Sequence, residues 1–196
     1  MTRLMYGDIA RYFVFHDFTR PQVTRRRAQR EEAPGGGLTP MALHMVDTFT
    51  WLLGPMSRLA ALSKRQVLTI DVDDTTTFLF ELESGVTGTL GTLLASPMNS
   101  YLRIYGTRAN LEARDNFKEL IVVPADPAQP QVRNVYGIDD TVQQELRAFA
   151  AACAGGAPYP VRPEEALRNV AVVEAVRKSG EADGAWMAVE GPRRAR

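Results

Sequence analysis

The sequence has very little cysteine: Cys153 is the only one among 196 residues. One cysteine excludes a disulfide within the chain and any zinc site that needs several cysteines. Its scarcity fits a reducing cytoplasm, which is where we expect the protein. Cys153 lies on an apolar helical stripe without a basic neighbour in sequence, so we expect it in the core and not as a nucleophile.

Long apolar stretches and net charge are lacking as well. No stretch is long enough to span a bilayer, and no basic segment followed by an apolar run and a cleavage site opens the chain. The sequence therefore predicts a soluble protein that is neither exported nor inserted in a membrane. The 23 Lys and Arg residues balance the 23 Asp and Glu residues, which argues against nucleic acid and anionic membranes as partners.

A dinucleotide-binding motif is the third absence, because no Gly-x-Gly-x-x-Gly occurs. Gly85, Gly88 and Gly91 are spaced by three residues but lie in a predicted strand. The glycines at 35–37 precede a helix without the strand and crossover that such a motif requires. We therefore expect no nicotinamide cofactor to be bound by this chain alone, and we assign no metal site.

The length favours one domain, which we place at residues 1–190, followed by a basic tail at 191–196. Residues 73–83 give the clearest alternation, with Phe78, Phe80 and Leu82 on one face. A turn at 83–85 leads to a strand at 86–94, whose interleaved glycines indicate close backbone approach. Further strands are predicted at 8–18, 58–66, 101–105, 110–114, 120–123 and 185–189, and a proline-broken loop at 126–131.

Three helices accompany these strands. Thr39 and Pro40 are suited to begin the first helix, and Gly54 to end it. The second, at 141–154, carries an apolar stripe of Val142, Leu146, Phe149, Ala150 and Cys153. The third begins at Pro163, ends at Gly180 and carries a stripe of Leu167, Val170, Val173 and Val176. Hairpin-spaced strands with these helices predict an α+β fold: a predominantly antiparallel, open-faced β-sheet with helices packed on one face.

Chemistry is concentrated on the first helix, where Pro40, His44, Asp47 or Thr48, and Trp51 fall along one face. A histidine exchanges protons near neutral pH, and we place it on the buried side of the helix. Asp47, three residues further on, is positioned to orient it. A histidine that is merely a hydrogen-bonded core residue is the other interpretation, and the residues themselves leave both open.

Several short motifs occur in a recognisable order. They are the glycine-rich lead at 35–37, His44-x-x-Asp47, Trp51-Leu-Leu-Gly54, an expected strand of Asp71-Val72-Asp73-Asp74, Tyr105-Gly106-Thr107, Glu145-Leu-Arg-Ala-Phe149, Tyr159-Pro-Val161 and Glu164-Glu-Ala-Leu167. Together they resemble the C-terminal, substrate and oligomerisation domain of the glucose–fructose oxidoreductase and inositol dehydrogenase family (Gfo/Idh/MocA). The N-terminal nucleotide-binding (Rossmann) domain of that family has no counterpart in this sequence.

The resemblance implies a chemistry and a set of partners. In that family a hydride passes between a nicotinamide and a sugar, polyol or related carbonyl compound, with a histidine at the position of His44 as an acid/base group. By resemblance, His44, Asp47 and Thr48 are candidates for substrate binding. NAD or NADP is implied only if a separate nucleotide-binding subunit or domain supplies its site. The open sheet face of relatives commonly forms a subunit interface, so a homo-oligomer is implied.

The sequence departs from the family pattern in three places. Pro40 stands where many members have an aspartate, and proline cannot share a proton. Ala42 and Ala109 stand where glycines are frequent; at the second place Asn110, which tolerates positive φ, follows. The lysine that many relatives use comes from the nucleotide-binding domain.

Three functions remain open at this level. The first is the substrate-binding and assembly domain of a Gfo/Idh/MocA-type oxidoreductase, which is not competent for hydride transfer alone. The second is a stand-alone binding or structural dimer without catalysis, which is supported by Pro40. The third is a cofactor-independent lyase or isomerase in which His44 acts as acid and base.

Overall fold

The computed structural model describes residues 4–14, 31, 43–69, 71–137 and 140–191. In chain order the elements are β1 (Leu4–Val14), α1 (Leu43–Leu53), β2 (Met56–Lys64), β3 (Thr75–Leu82), β4 (Thr87–Leu93), β5 (Ala95–Gly106), β6 (Ala109–Arg114), β7 (Glu119–Pro124), β8 (Val132–Val135), α2 (Thr141–Cys153), α3 (Pro163–Glu181) and β9 (Met187–Ala188). None of these helices combines the length and apolarity that crossing a membrane requires.

The nine strands form one sheet in the order β8-β7-β6-β5-β1-β4-β3-β2-β9. Every neighbouring pair is antiparallel except β1 and β4, which run parallel. Helices α1 and α3 contribute their buried residues to the same core as the sheet. The predicted α+β class, with a mainly antiparallel sheet, is confirmed.

The β3–β4 hairpin follows the alternation in its sequence. Phe78, Phe80 and Leu82 are at most 1% exposed, whereas Leu79 between them is 52% exposed. Gly85 takes a φ of +83° at the turn, where the Leu82 amide donates to the Val86 carbonyl at 2.8 Å. The predicted strand at 71–74 is wrong: β3 begins at Thr75, because the preceding carboxylate is used to fix a loop, as described below.

Close backbone approach, predicted for the glycines of β4, occurs where β1 and β4 meet. Gly7 lies opposite Gly88 in the parallel pair. A Cβ on Gly88 would collide with the Gly7 carbonyl oxygen and the Phe80 ring, and a Cβ on Gly7 would collide with the Phe49 ring. The two rings meet edge to face, with centroids 4.9 Å apart. The pair of glycines therefore makes room for the aromatic contact that joins α1 to the sheet.

The inward face of α3 differs from its predicted stripe. Val176 is buried, but Leu167 and Val170 are 55% and 57% exposed. The face that meets the core consists of Asn169, Val172, Ala175, Val176 and Ser179. Ser179 Oγ accepts from the Ala61 amide of β2 at 2.8 Å, so polar side chains take part in docking this helix. A prediction from the positions of apolar residues along the helix cannot detect such polar contacts.

The end of α3 was also predicted too early. The helix continues through Gly180 to Glu181, and Gly184 carries the positive φ of +83° beyond it. A Cβ on Gly180 would meet Ser63 at 3.5 Å, which is an ordinary contact. This glycine thus lies within the helix beside β2 and does not end it.

The expectation that the α2 stripe and Cys153 lie in the core is wrong. Val142, Leu146 and Phe149 are 63%, 64% and 56% exposed, and Cys153 is exposed. The rest of the described chain buries no residue of α2. The helix itself is confirmed, since α2 spans Thr141–Cys153. Helical periodicity shows which residues share a face, but not which other element covers that face.

The remaining boundaries differ in small ways. β1 begins four residues earlier than the predicted strand at 8–18, whose last four residues lie outside the described part, as do Thr39, Pro40, Ala42 and residues 192–196. The last strand is confirmed in shorter form as Met187–Ala188. β8 was not predicted: all four of its residues are exposed, so it shows no alternation.

Candidate functional site

The α1 helix has a core face and an outward face. Met45, Val46 and Phe49 are at most 1% exposed. The opposite side carries the sequence-predicted set of His44, Asp47, Thr48 and Trp51, of which His44 is exposed and Trp51 is 76% exposed. The placement of His44 on the buried side is therefore wrong, because the residues that the helix period puts opposite it fill the core. The interpretation of His44 as a core residue is excluded with it.

The outward position leaves the His44 imidazole without a hydrogen-bond partner among the described residues. Thr48 Oγ1 donates to the His44 backbone carbonyl at 2.9 Å, one turn further along. This contact places the Thr48 side chain beside His44 on the helix surface. A proton-transferring group and a hydroxyl thus share one accessible face, which is an arrangement that can handle an alcohol or a carbonyl group.

Asp47 is held by α3. Asn169 Nδ2 donates to Asp47 Oδ1 at 2.5 Å, and Thr50 Oγ1 lies 3.3 Å from Asn169 Oδ1. Asn169 is only 5% exposed, so its amide is a buried polar group that these contacts satisfy. The carboxylate that was predicted to orient His44 fixes the position of α1 on α3 in the described structure. Asn169 is 122 residues from Asp47 in sequence, and no sequence signal linked the two.

A cavity of about 450 Å³ opens beside Asp47, between α1 and α3. Trp51 lines one side, and Arg162, Glu165 and Arg168 come from α3 and the loop before it. Sequence reasoning missed the three α3-side residues. The helix start at Pro163 signalled where α3 begins, but not that its first turns face α1.

The charges of this cavity are partly paired. Arg162 Nη2 contacts Glu165 Oε1 at 2.7 Å, and the Arg162 amide donates to Glu165 Oε2 at 3.0 Å. The Arg162 side chain and amide thereby hold the pKa of the Glu165 carboxyl below its ordinary value. Arg168 and Glu83 form no ion pair or side-chain hydrogen bond with any residue that the structure describes. Arg168 acts on Glu165 through its charge alone, so its guanidinium N–H groups and the Glu83 carboxylate are available to a ligand.

A second carboxylate, Asp74, is buried for a structural reason. The amides of Gln66, Val67 and Leu68 donate to its oxygens at 2.7–3.2 Å, and Thr75 Oγ1 donates at 3.1 Å. Burial raises the pKa of Asp74, but the backbone donors outweigh burial and the pKa is lowered. Asp74 stabilises the β2–β3 connection and is not a candidate acid.

The sheet face away from α1 and α3 carries a charged network. Arg103 Nη2 contacts Glu112 Oε1 at 2.8 Å, and Arg114 Nη2 contacts Glu112 Oε2 at 2.7 Å. Donation from Arg114, with that from Arg103, lowers the pKa of Glu112 in spite of its partial burial. The Arg103 guanidinium also lies 4.2 Å from the centre of the Tyr101 ring. This face is thus open and ordered, with alternating charge.

The described residues do not build a nucleotide cradle. A dinucleotide binds where a parallel strand runs into a glycine-rich turn and the N-terminus of a helix. In this sheet the one parallel pair, β1 and β4, is separated in sequence by a helix and two antiparallel strands. The same part of the chain also holds no cluster of three His, Cys, Asp or Glu side chains suited to a metal ion.

Comparison with known proteins supports the fold. A family model described as the GFO/IDH/MocA C-terminal domain matches residues 5–112, more than half of the chain. No curated protein matches the chain.

Solved structures resemble it closely in fold at low sequence identity. A Desulfitobacterium hafniense protein assigned as an NADPH-dependent oxidoreductase aligns with a TM-score of 0.82 and 23% identity, over 95% of this chain and 57% of its own. Levoglucosan dehydrogenase in complex with NADH and levoglucosan gives 0.78 and 18%, over 97% and 60%. The WlbA dehydrogenase from Bordetella pertussis, in complex with NADH and UDP-GlcNAcA, gives 0.76 and 18%, over 95% and 56%. The chain thus spans less than two thirds of the length of these proteins.

Proposed function

The chain belongs to the GFO/IDH/MocA family, because it matches the model of the C-terminal domain of that family. On that premise we propose that it is the substrate-binding and assembly domain of an oxidoreductase. Its substrate is a sugar, polyol or related carbonyl compound. His44 is the acid/base group, and Asp47 and Thr48 belong to the same binding surface. Hydride transfer requires NAD or NADP held by a nucleotide-binding domain that is not formed by these residues.

The outward face of α1 carries this proposal. His44 lies on the surface beside Thr48, with its imidazole unpaired among the described residues, so it is available to a molecule that approaches from outside. A buried and hydrogen-bonded histidine would have indicated a structural role. The solved structures of like fold that hold NADH also have chain beyond the part matched here.

Exposed apolar side chains on the helices support a further domain. α3 buries Val172 and Val176 against the sheet and presents Leu167 and Val170 on its other side. A helix that is apolar on two opposite faces is typical of one that lies between two layers. We infer that a nucleotide-binding domain covers the side of α3 that carries Leu167 and Val170.

Assembly is assigned to the open sheet face. Leu79 of β3 is 52% exposed there, and the Arg103–Glu112–Arg114 network lies on the same face on β5 and β6, beyond β4 and β1. Because the network has both signs of charge, a symmetric copy can offer complementary partners. Sedimentation of the purified chain tests this: Leu79→Glu should shift a dimer towards monomer, whereas Leu167→Glu on α3, which packs on the other side of the sheet, should not.

A chimaera tests the redox function. The part of the D. hafniense oxidoreductase that this chain does not match is fused in front of β1. We expect sugar-dependent oxidation of NADPH by the chimaera and none by the chain alone. His44→Ala should lower kcat by about 10²- to 10⁴-fold, the usual range for a lost acid/base group. Gln129→Ala, on the exposed loop after β7, is the matched control.

The outcomes separate the competing functions. Turnover of a sugar or carbonyl compound by the chain alone, without a nicotinamide, would show a lyase or isomerase instead. A folded chimaera that binds NADPH but gives equal rates with and without His44 would contradict the acid/base role.

A further inference from the structure

The cavity between α1 and α3 has the size and lining of a small-molecule site. Its volume of about 450 Å³ lies within the range of roughly 300–1,000 Å³ for such pockets. Pro55, Met56 and Val172 supply an apolar wall, and Trp51 presents a largely exposed indole. An exposed tryptophan against an apolar wall offers a flat surface to which the C–H face of a ring can bind.

The polar groups of the cavity suit a polyhydroxylated ring better than an ion. Within the described part of the chain Glu83 forms no ion pair or side-chain hydrogen bond, and Arg168 donates no side-chain hydrogen bond, although its charge acts on the Glu165 carboxylate that Arg162 holds. A sugar hydroxyl both donates and accepts, so it can bind a carboxylate and a guanidinium at once. Strong ligand charge of either sign would meet a like charge in the lining.

The position of the cavity relative to His44 sets the size of the ligand. Trp51 lies seven residues after His44 on the same face of α1, which is about 10.5 Å along a helix that rises 1.5 Å per residue. A single sugar ring is shorter than this separation. A ligand of two rings is long enough to span it.

From this geometry we propose that the cavity beside Trp51 and Arg168 binds the second ring of a two-ring substrate, such as a disaccharide, whose first ring lies at His44. The proposal rests on the proposed function for the role of His44. The binding of a ring at Trp51 itself depends only on the cavity.

Tryptophan fluorescence of the chain tests this directly, because it has two tryptophans and Trp186→Phe leaves Trp51 as the only one. The probes are cellobiose, maltose, sucrose and trehalose, with glucose as the single-ring comparison. At least one disaccharide should change the Trp51 emission saturably, with a Kd about tenfold below that of glucose. Arg168→Ala should weaken this disaccharide about tenfold, as expected for a lost hydrogen bond to a charged group. Arg147→Ala, an exposed arginine of α2 outside the cavity, should not.

His44→Ala distinguishes one ring from two. It should weaken the disaccharide and leave the binding of glucose unchanged. The proposal is overturned if no disaccharide binds better than glucose, if Arg168→Ala behaves like Arg147→Ala, or if His44→Ala leaves disaccharide binding unaltered. Disaccharide binding without turnover by the chimaera would support the cavity site and contradict the redox function. Turnover of monosaccharides by the chimaera without a change in Trp51 emission would support the redox function and contradict the cavity site.

Discussion

Asn169 of α3 donates a hydrogen bond of 2.5 Å to Asp47 of α1. The bond connects two helices that are far apart in sequence, at a point where Asn169 is almost fully buried. It fixes the rotation of α1 about its own axis, since the same helix also presses Phe49 against the sheet. The outward direction of His44 follows from these two contacts together.

Replacing Asn169 by alanine should therefore destabilise the fold. The Asp47 carboxylate loses its donor in a partly buried place, which costs about 1–3 kcal/mol of the free energy of unfolding. Urea unfolding followed by circular dichroism measures the change. Asn134→Ala, on the exposed strand β8, is the control and should stay within about 0.5 kcal/mol of wild type. Equal stabilities of the two variants would contradict the role of this bond.

Gly88→Ala should be strongly destabilising. The added methyl group would collide with the Gly7 carbonyl oxygen and the Phe80 ring, and the β1–β4 backbone would have to move. Overpacking of this kind costs about 1–3 kcal/mol or more. Gly137→Ala, where the new group meets open space, is the matched control. Thermal unfolding of both variants tests the prediction, and a Tm for Gly88→Ala at the control value would refute it.

Asp74 predicts how stability depends on acid. Its pKa in the folded state is lowered, so the unfolded chain takes up the proton first as the pH falls. The stabilisation is complete above the ordinary aspartate pKa of about 3.9 and is lost as the pH drops through the lower folded value. Asp74→Asn should cost about 1–3 kcal/mol at pH 7, because an amide cannot accept all of these bonds.

Unfolding of the Asp74 variant at pH 7 and at pH 3 provides the check. Its difference from wild type should shrink at the lower pH. Asp71→Asn in the same segment is exposed and should change stability little at either pH. If the stability difference between Asp74→Asn and wild type grew on acidification, the pKa of Asp74 would be raised and not lowered in the folded state.

The exposure of Cys153 predicts its reactivity. In the folded chain a thiol reagent such as DTNB should modify it fully without denaturant, at a rate close to that in the unfolded chain. Cys153→Ala should leave the free energy of unfolding within about 0.5 kcal/mol of wild type, since no core contact is lost. Protection of the thiol in the native chain would show that α2 is covered in solution, for example by a second copy.

Several elements of the fold could be predicted because their signals are local. The β3–β4 hairpin follows from alternation around Phe78 and Phe80 and from the glycine at its turn. The end of α1 follows from Gly54, which takes a φ of +98°. The grouping of the candidate site residues His44, Asp47, Thr48 and Trp51 on one face of α1 follows from the helical period. Strand β8 has no such pattern, and its pairing with β7 decides its conformation.

The sequence by itself determined the family, the α+β class and the set of residues that share the surface of α1 with His44, since motifs and periods are properties of neighbouring residues. The tertiary structure alone decided which side of each helix meets the sheet. It turned His44 and Cys153 outward, buried Asn169 instead of Leu167, and placed Arg168 and Trp51 in the lining of one cavity. The physical reason is that burial depends on which distant element packs against a face, and contacts such as Asp47 with Asn169 or Gly7 with Gly88 have no signature in the segments that form them.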